Sequence, residues 1–155
     1  MVAGGVSTLV TLVLSFVSRG AENEPAPSAT WARTSDPLGD SAAPRDDSAF
    51  EGDVTYPDGT VVRSGTRFTK IWRLRNTGTV PWHGRHLRRI NNTPCRAPER
   101  VPIRPTAPGE AVDIAVDVRA ADVAGRCKIY WKMINDSGAQ TFAGKNPIFL
   151  DVTVK

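Results

Sequence analysis

Cys95, Cys127, His83 and His86 are the only cysteines and histidines of this 155-residue sequence, and no other residue types in it are as well suited to site chemistry. Two thiolates and two imidazoles are the ligand set of a tetrahedral Cys2His2 zinc site. Only His83-x-x-His86 is a tight pair, and cysteines thirty-two residues apart lack the C-x2-4-C spacing that offers both thiolates to one ion. The preferred reading joins Cys95 to Cys127. Closing a loop of that size contributes roughly 3 to 4 kcal/mol in the chain-entropy picture, a large share of the ~5 to 15 kcal/mol that holds a small domain together. Zinc binding and a pair of free buried thiols stay open as alternatives. No metal or other cofactor is expected.

A second chemical signal follows Trp82. His83, Arg85, His86, Arg88 and Arg89 form one basic, aromatic-led stretch. As a partner-binding patch, Trp82 offers a flat apolar contact and the arginines engage carboxylates or phosphates bidentately. In the competing reading Trp82 packs into a core and the charges guard a solvated strand edge. Catalytic signatures are missing. The sequence has no Gly-x-Ser-x-Gly elbow, phosphate loop, dinucleotide fingerprint or His-Glu-x-x-His. Asp113 and Asp117 are four strand residues apart, about 13 Å at ~3.3 Å per residue, beyond the roughly 5 to 9.5 Å of glycosidase carboxylate pairs. The expectation is a binding protein, not an enzyme.

The elements that hold these residues are strands. Val112, Ile114, Val116 and Val118 alternate with Asp113, Ala115, Asp117 and Arg119, which sets one face dry and one wet. The same period places Phe68, Trp72 and Leu74 opposite Thr69, Arg73 and Arg75. It also places Cys127, Ile129, Trp131 and Met133 opposite Lys128, Tyr130 and Lys132, and Ile148, Leu150, Val152 and Val154 close the chain. Pro57-Asp58-Gly59, Asn76-Thr77-Gly78, Pro108-Gly109 and Asp136-Ser137-Gly138 mark turns between them. Several short strands in about 100 residues, with no sustained helical period, predict an all-β, immunoglobulin-like β-sandwich over residues 50–155. Its core should be dominated by Trp72 and Trp131, with Phe68, Leu74 and Trp82 around them.

Upstream the chain changes character. Val2 to Val17 carries no charge, fits the apolar core of a signal sequence, and at ~1.5 Å rise reaches about 24 Å as a helix, short of the ~30 Å hydrocarbon layer. Residues 1–20 therefore read as a signal peptide or a membrane anchor, and no nearby cysteine offers a lipidation site. Residues 21–49, rich in Ala, Ser, Pro and acid, read as a disordered linker. Trp31 stands alone there. Residues 1–49 hold three arginines and six carboxylates, while residues 50–155 hold seventeen Lys/Arg and ten Asp/Glu. The basic C-terminal region suggests, as an alternative ligand, an anionic surface polymer or lipid headgroups. No nucleic-acid-binding motif accompanies the charge. An apolar leader ahead of paired cysteines points to an extracytoplasmic protein, membrane-anchored or secreted.

The motifs also carry a resemblance. Thr55-Tyr56-Pro57-Asp58-Gly59-Thr60, then Gly65-Thr66-Arg67-Phe68-Thr69-Lys70-Ile71-Trp72-Arg73-Leu74-Arg75-Asn76-Thr77-Gly78 and Pro81-Trp82, are similar to the four-tryptophan (FW) domain. That domain is the Ig-like central domain of the next-to-BRCA autophagy receptors. Pro108-Gly109-Glu110, Gly125 and Tyr130-Trp131-Lys132 extend the match across residues 50–155. Cys127 and the closing Phe149-Leu150-Asp151-Val152-Thr153-Val154 resemble bacterial members of actinobacterial type. The resemblance implies an Ig-like fold and non-catalytic protein binding by an unidentified partner. It departs in the last strand, where Phe149 stands in the place of the family's fourth tryptophan.

Overall fold

The computed structural model describes residues 43–155, eight β-strands in two sheets. The segment read as a signal or anchor, the linker through residue 42, and Trp31 lie outside the described residues. Among the described residues no helix is long and apolar enough to cross a membrane.

The longest strands are those with the cleanest alternation: β3 (Arg67–Asn76), β6 (Ala111–Arg119), β7 (Gly125–Ile134) and β8 (Ile148–Val154). Four shorter strands complete the sheets: β1 (Ser48–Asp53), β2 (Thr60–Val62), β4 (His86–Arg89) and β5 (Arg100–Pro102). One sheet runs β1-β3-β6 and the other β2-β8-β7-β4-β5. All neighbours are antiparallel except β2, which lies parallel to β8.

Period-2 side chains from both sheets meet in one core. Trp72 of β3 and Trp131 of β7 are fully buried and touch edge to face, ring centroids 5.2 Å apart. Each such ring removes on the order of 200 Å² from water. Phe68, Leu74 and Trp82 are buried in the same cluster. Trp72 Nε1 donates to the Phe149 carbonyl at 3.1 Å, while Trp82 Nε1 and Trp131 Nε1 find no partner among the described residues. Phe149 itself does not fill the core. It lies half-buried on the outer face, its ring 5.7 Å from that of Tyr130.

One core position is occupied by a charge. Lys70 falls between Phe68 and Trp72 on the inward face of β3 and is wholly buried. Its ammonium pairs with Asp53 at 2.5 Å and donates to the Thr55 and Tyr56 carbonyls at 2.9 and 2.8 Å, which uses all three of its protons. This tethers the β1–β2 connection to the core.

The folded region starts before residue 50. The Arg45 carbonyl accepts from Thr79 at 2.7 Å, and the Asp47 carbonyl from Thr77 at 3.2 Å. Gly78 permits this approach, since a Cβ there would lie 2.3 Å from the Arg45 carbonyl oxygen. Ser48 and Ala49, whose composition reads as linker, are the first residues of β1.

Candidate functional site

Strand alternation separates the basic stretch after Trp82. Trp82 is fully buried, its ring 5.9 Å from that of Phe142, so it offers no surface contact. His83 is exposed. Arg85 folds onto Asp46 at 2.5 Å with its side chain only 10% exposed. Arg89 turns the other way, donates to the Ala97 carbonyl at 3.0 Å and lies 3.9 Å from Glu99. His86 and Arg88 alone share the outer face of β4, on the side opposite buried Leu87.

The register then brings in residues from neighbouring strands. Arg88 is the direct partner of Arg100 on β5 and of Lys132 on β7. The three cations therefore form one row across adjacent strands, spanning about 10 Å at ~4.8 Å per step. Like charges directly opposite one another are destabilising. The contacts of this row include no carboxylate: Arg88 donates to the Gly138 carbonyl at 3.4 Å, Arg100 lies 3.1 Å from His86 Nδ1, and Lys132 donates to the Lys145 carbonyl. Among the described residues none of the three has a carboxylate within salt-bridge distance. His86 Nδ1 is also 3.1 Å from the Gly84 carbonyl, so its tautomer decides whether it donates there or accepts from Arg100.

Beside the row the same face is aromatic and partly neutralised. Lys128 lies 4.1 Å from the centre of the Phe149 ring and 5.6 Å from that of Tyr130, both within cation–π range. Asp151 is the sole carboxylate carried by the strands of this sheet. It is chelated by Arg126 and lies 3.4 Å from Lys128. The Arg126 hydrogen bond holds the Asp151 carboxyl below the usual carboxylate range.

The cysteines are committed elsewhere. Cys95 and Cys127 are bonded, their Cα atoms 6.1 Å apart, which ties the segment ahead of β5 to β7. That removes both thiolates from a Cys2His2 site, and no cluster of three or more metal-ligating side chains occurs among the described residues. Sequence reasoning found Arg88 and placed Lys132 on the outward face of its strand. It missed Arg100 and the row, because register between strands remote in sequence is written in no local motif.

Comparison with known proteins agrees with this architecture. Protein JOKA2 of Solanum tuberosum is 39% identical over 100 residues, covering 61% of this chain and 12% of its own. The NBR1 homolog of Arabidopsis thaliana is 36% identical over 104 residues, covering 63% and 14%. Protein ILRUN of Danio rerio is 34% identical over 91 residues, covering 58% and 32%. The chain thus spans between 12% and 32% of the length of these relatives. The family model described as the Ig-like domain from next to BRCA1 gene matches residues 55–154, from the end of β1 through β8, and this chain belongs to that family.

Proposed function

We propose that the chain is a non-catalytic, extracytoplasmic protein-binding module that presents the outer face of its five-stranded sheet to an acidic partner surface. One observation carries the reading: Arg100, Arg88 and Lys132 stand in register on three adjacent strands with no neutralising carboxylate among the described residues. An anionic partner relieves their mutual repulsion and is steered toward them by it. Membership of the Ig-like family supports a binding role.

Two features support a place outside the cytoplasm: the apolar run from Val2 to Val17 and the Cys95–Cys127 bond, since disulfides persist in oxidising compartments.

The test expresses the full chain with a C-terminal reporter and presents it to surface-protein extracts at rising salt. Expected are a reporter outside the cytoplasm and a retained protein that salt releases progressively. A cytoplasmic reporter together with no retained protein contradicts the proposal. The seventeen cationic against ten acidic residues of 50–155 favour a second reading, an anionic surface polymer or lipid headgroups. Capture by anionic vesicles with no protein retained from the extract decides for it.

A further inference from the structure

We propose that the open edge of β6 is a second recognition site, independent of the cation row, that takes up an extended segment of a partner protein as an added strand, acidic at its amino-terminal end.

The backbone of β6 shows which groups are available. Asn76 N–H donates to the Glu110 carbonyl at 2.9 Å and Ala120 N–H to the Thr66 carbonyl at 2.8 Å, so even-numbered residues turn toward β3. Odd-numbered residues turn away. Arg119 exchanges backbone hydrogen bonds with Arg96 at 2.8 and 2.9 Å, which closes the edge at one end. The Arg104 guanidinium donates to the Ala111 carbonyl at 2.9 Å and closes it at the other. Between these closures the N–H and C=O groups of Asp113, Ala115 and Asp117 have no partner among the described residues. From Asp113 to Asp117 the open interval is about 14 Å of strand at ~3.4 Å per residue. Such groups form a template for strand addition.

Charge selects the occupant. Two β6 strands meeting antiparallel about Ala115 set the Asp113 carboxylate of each copy against the Asp117 carboxylate of the other, a like-charge pairing that disfavours self-association. At the Arg119 end the edge opens into a cleft of about 540 Å³ whose charged walls are Arg67, Arg96 and Arg119 against the single carboxylate of Asp117, already bonded by Thr69, so the cleft is cationic on balance. Neither Arg67 nor Arg96 has a carboxylate within salt-bridge distance among the described residues. A strand antiparallel to β6 enters at this end with its amino terminus, so acidic residues there meet both guanidiniums.

The probe is acetyl-Asp-Glu-Thr-Val-Thr-Val-amide, with a Lys-Lys-Thr-Val-Thr-Val counterpart, titrated into isotope-labelled full chain and followed by amide shifts and hydrogen exchange. The Asp-Glu peptide should slow exchange at residues 113, 115 and 117, and the Lys-Lys peptide should bind at least about tenfold more weakly. Ala115→Pro deletes an N–H on the open side without touching the ladder to β3 and should abolish the effect. Arg67→Ser with Arg96→Ser leaves the backbone intact and should weaken binding by about tenfold. Equal binding of both peptides, no protection at those three amides, or full binding to a folded Ala115→Pro variant overturns the proposal. Shifts confined to Arg88, Arg100 and Lys132 overturn it too, while leaving the cation-row reading standing.

Discussion

The two sheets carry similar numbers of cations and treat them in opposite ways. The strands of the β1-β3-β6 sheet hold five Lys or Arg and four Asp or Glu. On its outer face Asp113 accepts both arms of Arg73 at 2.7 and 2.8 Å, Glu51 takes Arg75 at 2.5 Å, and Asp117 is bonded by Thr69 at 2.7 Å. The five-stranded sheet holds six Lys or Arg and one Asp, and among the described residues its central row has no carboxylate within salt-bridge distance. Cross-strand pairing on the first face is what folding alone asks for. The second face departs from it, and the binding role proposed above accounts for that departure.

The strongest perturbation of this contrast falls on the buried charge of the first sheet. Lys70→Met removes one partner of a buried ion pair and strands Asp53 with two carbonyls, which should lower unfolding free energy by about 3 to 5 kcal/mol in urea titration. An unchanged midpoint would show that the charge inside the three-stranded sheet is not structural.

Next comes the bond on the other side. Cys95→Ser with Cys127→Ser should remove roughly 2 to 4 kcal/mol and loosen the segment that leads into Arg100. Thiol titration of the unfolded wild-type chain should find no free thiols before reduction and two after.

Acid should act mainly through the paired carboxylates. Lys145, then the Ser48 N–H, holds Asp47 at about 2 against an ordinary 3.8. Arg73 lowers Asp113, and the Ala107 N–H followed by Arg104 lowers Glu110. Because these groups bind protons more weakly when folded, their stabilisation is complete above the unfolded value and is lost as pH falls from about 4 toward 2. Urea midpoints should hold near neutrality and drop across that window. Asp113→Asn should flatten the drop.

The smallest expected effect is the most specific. Arg73→Ser, which breaks an exposed bidentate pair, should lower the midpoint slightly. Arg88→Ser, which relieves a like-charge row, should leave it unchanged or raise it. The reverse ranking would erase the distinction between the faces.

Alternation made β3, β6, β7 and β8 legible, because a strand with one dry face writes its burial directly into the sequence. It also contained Lys70, two residues from both Phe68 and Trp72, where a polar residue at a core position signals a buried partner. The short strands were not legible. β2 and β5 have three residues each, too few for a period, and β1 is broken by a bulge between Phe50 and Gly52. The site suffered most from this. Its three cations come from strands separated by turns, and only pairing shows that Arg88 stands between Arg100 and Lys132.

The most direct test of the central claim compares two charge reversals of the full chain, Arg88→Glu with Lys132→Glu and Arg73→Glu with Arg75→Glu, for protein retained from surface extracts at fixed low salt. Retention should fall by about tenfold or more for the first pair and stay at the wild-type level for a folded second pair. Equal retention by both variants, or loss only when the three-stranded sheet is reversed, would contradict the assignment of recognition to the unpaired row.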